Sequence, residues 1–246
     1  MSLLRCRRAV ALAFVLPSFF LRLALMRLRG PLTPERRAHW LQACCYRVVS
    51  VLGMEVRFEG LPPARGLLVS NHLSYLDIAV YASIVPCVFV SRSDVAAWPY
   101  FGPASRAAGT IFLDRASHAS ALEAGAAMRA RLAGAVPVLL FPEGTSTDGA
   151  RVQRFHSSLF EPAVAAGAAV TAAAIRYELA EGTPEREACW FGDAGFAPHL
   201  WKLLALPGVS AKVHFAPAQR FDDRRAAARS THDVVQGLRA SAAVVI

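Results

Sequence analysis

At 246 residues and 26.5 kDa, with 54% hydrophobic residues and a mean hydropathy of +0.35, the chain can bury a substantial core and lies toward the apolar side for a soluble domain. The formal charge of +9 suits an anionic partner, be it nucleic acid, an anionic lipid surface or an acidic carrier with its cofactor. The five cysteines (Cys6, Cys44, Cys45, Cys87, Cys189) are odd in number and lack metal-ligand spacing, which argues against a disulfide framework or a zinc module and for reduced thiols in the cytoplasm.

The chain opens with the basic run Arg5-Cys6-Arg7-Arg8 and the apolar stretch Ala9 to Leu21. This has the form of a signal peptide without a convincing cleavage site. Arg22 and Arg27 cut the apolar run and Pro17 is expected to kink it, so no uninterrupted run is as long as a spanning helix needs. The expectation is a helix that lies in the interface, its arginines snorkelling to phosphates. Gly30-Pro31 breaks the chain, and Thr33-Pro34-Glu35 supplies an N-cap, a first-turn proline and a first-turn acid for a second helix through about Val51. Residues 1–53 are therefore expected to form a membrane-associating two-helix segment, and 54–246 the domain proper.

From Met54 the texture changes to short apolar or alternating runs: Met54 to Phe58, Leu67 to Ser70, Cys87 to Ser91, Thr110 to Leu113, Val136 to Phe141, Ala169 to Tyr177 and Ala211 to Phe215. Helical patterns fall at Ser74 to Ile84, Ala119 to Leu132, Ser157 to Ala166 and Asp222 to Arg239. Strand alternating with helix predicts an α/β fold, a mostly parallel sheet flanked by helices on both faces.

Three segments at strand ends carry groups able to do chemistry. Ser70-Asn71-His72-Leu73-Ser74-Tyr75-Leu76-Asp77 follows the strand Leu67 to Val69, at the carboxyl end where open α/β sheets place their sites. His72 can take a hydroxyl proton if a carboxylate on its other nitrogen fixes the tautomer, and Asp77 can supply that carboxylate if the chain turns between them. The same residues also fit a capping box, with Ser74 as cap and Asp77 at N3. Val138 to Thr145 is a strand ending in a Pro142-Glu143-Gly144-Thr145 turn, and the turn itself does not require Glu143. Gly109 to Arg115 is a strand finishing in the pair Asp114-Arg115, which as an isolated segment is a solvated strand end.

Together these segments resemble the glycerolipid acyltransferase family, which includes the 1-acylglycerol-3-phosphate acyltransferases. Its first motif, Asn-His with Asp after four further residues, matches Asn71, His72 and Asp77; its second matches Gly109 to Arg115; its third, Phe-Pro-Glu-Gly-Thr, matches Phe141 to Thr145. Val90-Ser91-Arg92 and Trp98-Pro99-Tyr100-Phe101-Gly102 are similar to the family's segment between the first two motifs. The resemblance implies an O-acyltransferase in which His72 is the general base and Asp77 orients it, with Arg115, Glu143, Gly144 and Thr145 lining the acceptor pocket. It also implies acyl-CoA or acyl-carrier protein as donor, no other cofactor or metal, and a place at the membrane, expected on the cytoplasmic face of the cell membrane. Backbone N–H groups near the Ser74 helix start are expected to meet the oxyanion.

Two departures bear on the acceptor. Where the third motif usually continues with Arg, this chain has Ser146, in Thr145-Ser146-Thr147-Asp148-Gly149; the strand Val170 to Ile175 lacks the fourth motif's Pro. Lysophosphatidate is the first expectation, with Arg115, Arg151 and Arg154 able to replace the missing fork. The Thr-Ser-Thr-Asp-Gly continuation also looks like the branch acting on lyso-ornithine lipid. Other classes fit less well: no Gly-x-Ser-x-Gly elbow marks an α/β hydrolase, and no zinc spacing, recognition motif or basic–aromatic run marks a nucleic-acid binder. A non-catalytic membrane-binding protein would need the first two helices but not the motifs.

Overall fold

The computed structural model describes residues 3–114 and 116–241. Helix α1 (Leu3–Leu28) is continuous, with Pro17 inside it. Residues 9–26 contain a single charge, Arg22, so in a continuous helix the arginine does not divide the apolar stretch. Contrary to the expectation from uninterrupted runs, α1 is long and apolar enough by length and composition to cross a membrane. It does not stand alone, because Leu12, Phe19 and Leu23 are buried and Trp40 of the next helix donates its Nε1–H to Phe19 O at 3.1 Å. That helix, α2 (Pro34–Leu52), starts as its sequence dictates: Thr33 accepts from Arg36 N, Pro34 needs no donor, and Gly53 closes the end at φ 65°.

The strands are β1 (Met54–Glu59), β2 (Leu67–Ser70), β3 (Val88–Arg92), β4 (Ile111–Leu113), β5 (Val138–Leu140), β6 (Val170–Leu179) and β7 (Val209–Phe215). They form one sheet in the order β1-β7-β6-β2-β5-β3-β4, parallel throughout except for the β6–β7 pair. The helices are α3 (Leu76–Ile84), α4 (Phe101–Ala108), α5 (His118–Leu132), α6 (Glu161–Ala165), α7 (Phe196–Leu203) and α8 (Arg224–Ser241). The strand alternation sorts the core into two layers. Leu68, Leu139, Ala173 and Ile175 pack with α2, α3 and α7, whereas Leu67, Val69, Val138, Leu140, Ala172 and Ala174 pack with α5, α6 and α8. Burial on both faces is why these strands are near-continuous apolar runs.

All seven strands fall within a few residues of their apolar runs. Helices α4 and α7 are not among the expected helices: each is only two turns long and carries a proline inside it, Pro103 and Pro198, so the local pattern reads as loop. The expected helix at Ser74 begins at Leu76 instead, because Leu73 and Ser74 are drawn into a turn around Asp77.

Two glycines separate backbone need from helix cost. Gly66 enters β2 at φ +92°, where a Cβ would stand 2.4 Å from Ala169 O. Gly237, inside α8, has open space around it. Gly66→Ala should lower unfolding stability by about 1–3 kcal/mol, while Gly237→Ala should raise it by roughly 0.5–1 kcal/mol, both read from denaturant midpoints.

Candidate active site

The site is built at the carboxyl end of β2, between its neighbours β6 and β5. As β2 ends, Asn71 continues the pairing with its side chain: Oδ1 accepts from Ile175 N at 2.9 Å and Nδ2 donates to Ile175 O at 3.0 Å. The amide thus behaves as one more strand residue beside β6 and fixes where the chain turns. Ser70 Oγ and Tyr81 Oη are 2.6 Å apart beneath it, both buried.

The turn wraps around Asp77, which is fully buried. Its Oδ2 accepts from His72 Nδ1 at 2.7 Å, Leu73 N at 2.7 Å and Ser74 N at 3.1 Å; its Oδ1 accepts from Tyr177 Oη at 2.5 Å. Four donors on one carboxylate offset the cost of burying its charge. The capping and dyad alternatives are therefore both realised, by the same oxygen. Only half of the capping box forms, since Ser74 Oγ is buried without a hydrogen-bond partner. Because Leu73 and Ser74 spend their N–H groups on Asp77, those two donors do not face an oxyanion.

With Nδ1–H directed at Asp77, a neutral His72 keeps its lone pair on Nε2, which has no hydrogen-bond partner among the described residues. The His72 side chain is 19% exposed, enough for that nitrogen to meet a substrate. The third motif clamps the same residue. Phe141 stacks flat on the imidazole, with ring centroids 4.1 Å apart and planes 9° apart. Glu143 Oε1 accepts from His72 N at 2.8 Å, and Thr147 N donates to His72 O at 2.9 Å.

Of the expected acceptor-site residues, Glu143 is buried, and its second oxygen accepts from Gln153 N at 2.7 Å. Burial pushes its carboxyl above the usual range, against the pull of these two N–H groups. Gly144 takes φ +77° and turns the chain outward, leaving Thr145 exposed at the surface. Arg115 lies outside the described residues. Among the described residues no three His, Cys, Asp or Glu side chains converge as a metal site would require.

Sequence inspection missed Tyr177, Thr147 and Arg239. Tyr177 sits in the apolar alternation of β6, where a buried aromatic attracts no notice; burial and Asp77 push its hydroxyl well above the ordinary value, so it stays a donor. Arg239 reaches back from α8 to donate to Ile175 O at 2.6 Å and Gly149 O at 2.8 Å, while pairing with Glu185 at 2.8 Å. It thereby braces both β6 and the loop after the third motif, from a distance in sequence that no local pattern reveals. Over the start of α3, Tyr75 meets Trp190 and Phe196 with centroids 5.8 and 4.9 Å away, and Trp98 and Phe101 extend the cluster.

Tyr177→Phe should remove one charge-assisted hydrogen bond from Asp77, worth about 1.5–3 kcal/mol, without changing the packing. Thermal unfolding of Tyr177→Phe and wild type checks this, with stability falling by that order. Glu143→Gln should also destabilise the site, because an amide matches only one of the two N–H groups that Glu143 accepts from. Urea midpoints of Glu143→Gln and wild type provide the comparison.

Residues 54–176 match the family model described as Acyltransferase, half of the chain. A lyso-ornithine lipid O-acyltransferase of Pseudomonas aeruginosa is 35% identical over 84% of this chain and 79% of its own length. A 1-acyl-sn-glycerol-3-phosphate acyltransferase of Neisseria gonorrhoeae is 31% identical over 71% of this chain and 70% of its own. The crystal structure of the 1-acyl-sn-glycerophosphate acyltransferase PlsC from Thermotoga maritima superimposes with a TM-score of 0.70 over 99% of this chain and 96% of that one, at 20% identity, and so shares the fold. The His–Asp turn described above lies within the matched segment, and on these matches the chain belongs to the acyltransferase family.

Proposed function

We propose that the protein is a membrane-surface O-acyltransferase that moves a fatty acyl group from acyl-CoA or acyl-carrier protein to the hydroxyl of a lysolipid. The observation that carries this is the 2.7 Å contact between His72 Nδ1 and a buried Asp77, which leaves Nε2 as an outward-facing base. As the lysolipid oxygen attacks the thioester carbonyl, its proton passes to Nε2. The new C–O bond forms, the C–S bond breaks, and the proton is returned to the departing thiolate. Asp77 stabilises the imidazolium formed in between. A thioester is already activated, so no protein nucleophile is required. The absence of any His72–Ser74 hydrogen bond among the described residues also favours direct attack over an acyl-serine.

For the acceptor, Ser146 in place of the usual arginine and the similarity to lyso-ornithine lipid acyltransferases over 84 and 85% of the chain favour lyso-ornithine lipid. Lysophosphatidate, the first expectation from sequence, is the alternative supported by the Neisseria relative. On either acceptor Glu143 serves by holding His72 rather than by touching substrate. Thr145 and Gly144, exposed and half-exposed at the mouth, together with Arg115, are the groups assigned to the acceptor. The exposed stripe of α1, with Phe14, Leu21 and Leu25, is assigned to the membrane, on its cytoplasmic face. The aromatic patch continues that surface: Tyr100 Oη donates to Leu16 O at 3.0 Å, and Arg5 lies 5.1 Å from the Trp201 ring.

His72→Ala should retain about 1% of wild-type acyl transfer or less, since a positioned general base contributes ~100-fold or more, with its far-ultraviolet spectrum unchanged. Retention above a tenth would contradict the assignment. Arg115→Ala should impair transfer to lysophosphatidate more than to lyso-ornithine lipid; equal losses would show that Arg115 is not a phosphate ligand. Phe14→Asp with Leu21→Asp should release the folded protein from liposomes in sedimentation, since both side chains face solvent and neither supports the core.

A further inference from the structure

Arg22 is the one charge in the apolar stretch of α1, and its surroundings explain why a charge stands there. It lines a cleft of about 380 Å³ together with His39, Gln42, Tyr46 and Arg47 of α2 and Ser83 at the end of α3. No carboxylate lines this cleft, and neither arginine makes an ion pair or side-chain hydrogen bond among the described residues. The carbonyls at the end of α3 do not neutralise them, because Gln42 Nε2 donates to Ser83 O at 3.5 Å and Ile84 O at 3.1 Å. Both cations converge on α2: burial pushes the Cys44 thiol up to about 12, and Arg22 and Arg47 each pull it back down. Two like charges held at one cleft with no acid beside them repel each other until an anion arrives. A second cleft, of about 620 Å³, differs in holding a carboxylate, Glu123, among its three arginines, one of which, Arg37, is spent on Leu32 O and Ala107 O.

We propose that the Arg22–Arg47 cleft is a discrete binding site for the phosphodiester head group of an anionic membrane phospholipid, separate from the catalytic site. Two guanidinium forks match phosphate oxygens, and the exposed Leu21 and Leu25 on either side of Arg22 along α1 offer apolar surface to the acyl chains. A free phosphate would use only the forks; a lipid uses both. The inference rests on the membrane association proposed for α1.

The test uses the full chain in a non-ionic detergent, titrated with dihexanoyl phosphatidylglycerol and followed by native mass spectrometry. Wild type should hold one lipid molecule, and Arg22→Gln/Arg47→Gln, which removes both forks, should bind it at least about tenfold more weakly. The control pair Arg7→Gln/Arg27→Gln, which removes the same charge from exposed positions outside the cleft, should bind as wild type does. Equal weakening in both pairs would reduce the effect to diffuse charge and overturn the site. Displacement of the lipid by inorganic phosphate at equal concentration would overturn the lipid assignment. Thermal unfolding of each variant checks folding, and Arg22→Lys/Arg47→Lys, which keeps charge but not the forks, should fall between. Liposome sedimentation of wild type tests the membrane reading by itself. If wild type sediments and the two pairs do not differ in lipid binding, only the site is lost.

Discussion

The fold is organised around a single buried carboxylate. Asp77 has no access to water, and its charge is tolerated only because His72, Leu73, Ser74 and Tyr177 all donate to it. Those donors come from the turn after β2 and from β6, so the carboxylate ties the central strands to the start of α3. The interactions that let the charge exist inside the core are the ones that set the tautomer and direction of the imidazole. Under the proposed mechanism stability and reactivity are therefore coupled here, and a change that loosens Asp77 acts on both.

Around that centre, each structural layer restrains His72 a little further. The Asn71 side chain decides where β2 stops, Phe141 holds the plane of the ring, and Glu143 and Thr147 hold the backbone on either side. Arg239 then braces the strand and loop that carry these contacts. What remains open is one nitrogen. Such arrangements favour catalysis by position, in which little rearrangement is needed at the moment of proton transfer.

Much of this was legible in the sequence, and the parts that were not have physical reasons. The central strands announced themselves because a sheet covered on both faces needs unbroken apolar runs, β7 through its alternation, and Thr33-Pro34-Glu35 marked α2 because caps are local. His72 and Asp77 were visible through their spacing. That Asp77 both caps and orients was not, because its burial as a charge also needs Tyr177, which approaches from a strand 100 residues away. The resemblance implies an acceptor-lining place for Glu143, and the two backbone N–H groups that set its direction are displayed by no pattern. The continuity of α1 was hidden for a different reason: counting uninterrupted apolar residues treats Arg22 as a break, whereas a helix places it on one side only.

The proposed proton transfer requires His72 to carry its proton on Nδ1 and present a bare Nε2. Nitrogen-15 correlation spectra of the imidazole, with His72→Gln used to assign the signals, measure this directly. Neutral His72 should show a protonated Nδ1 and a pyridine-like Nε2. A neutral ring protonated on Nε2 would contradict it, because that nitrogen could not accept the hydroxyl proton.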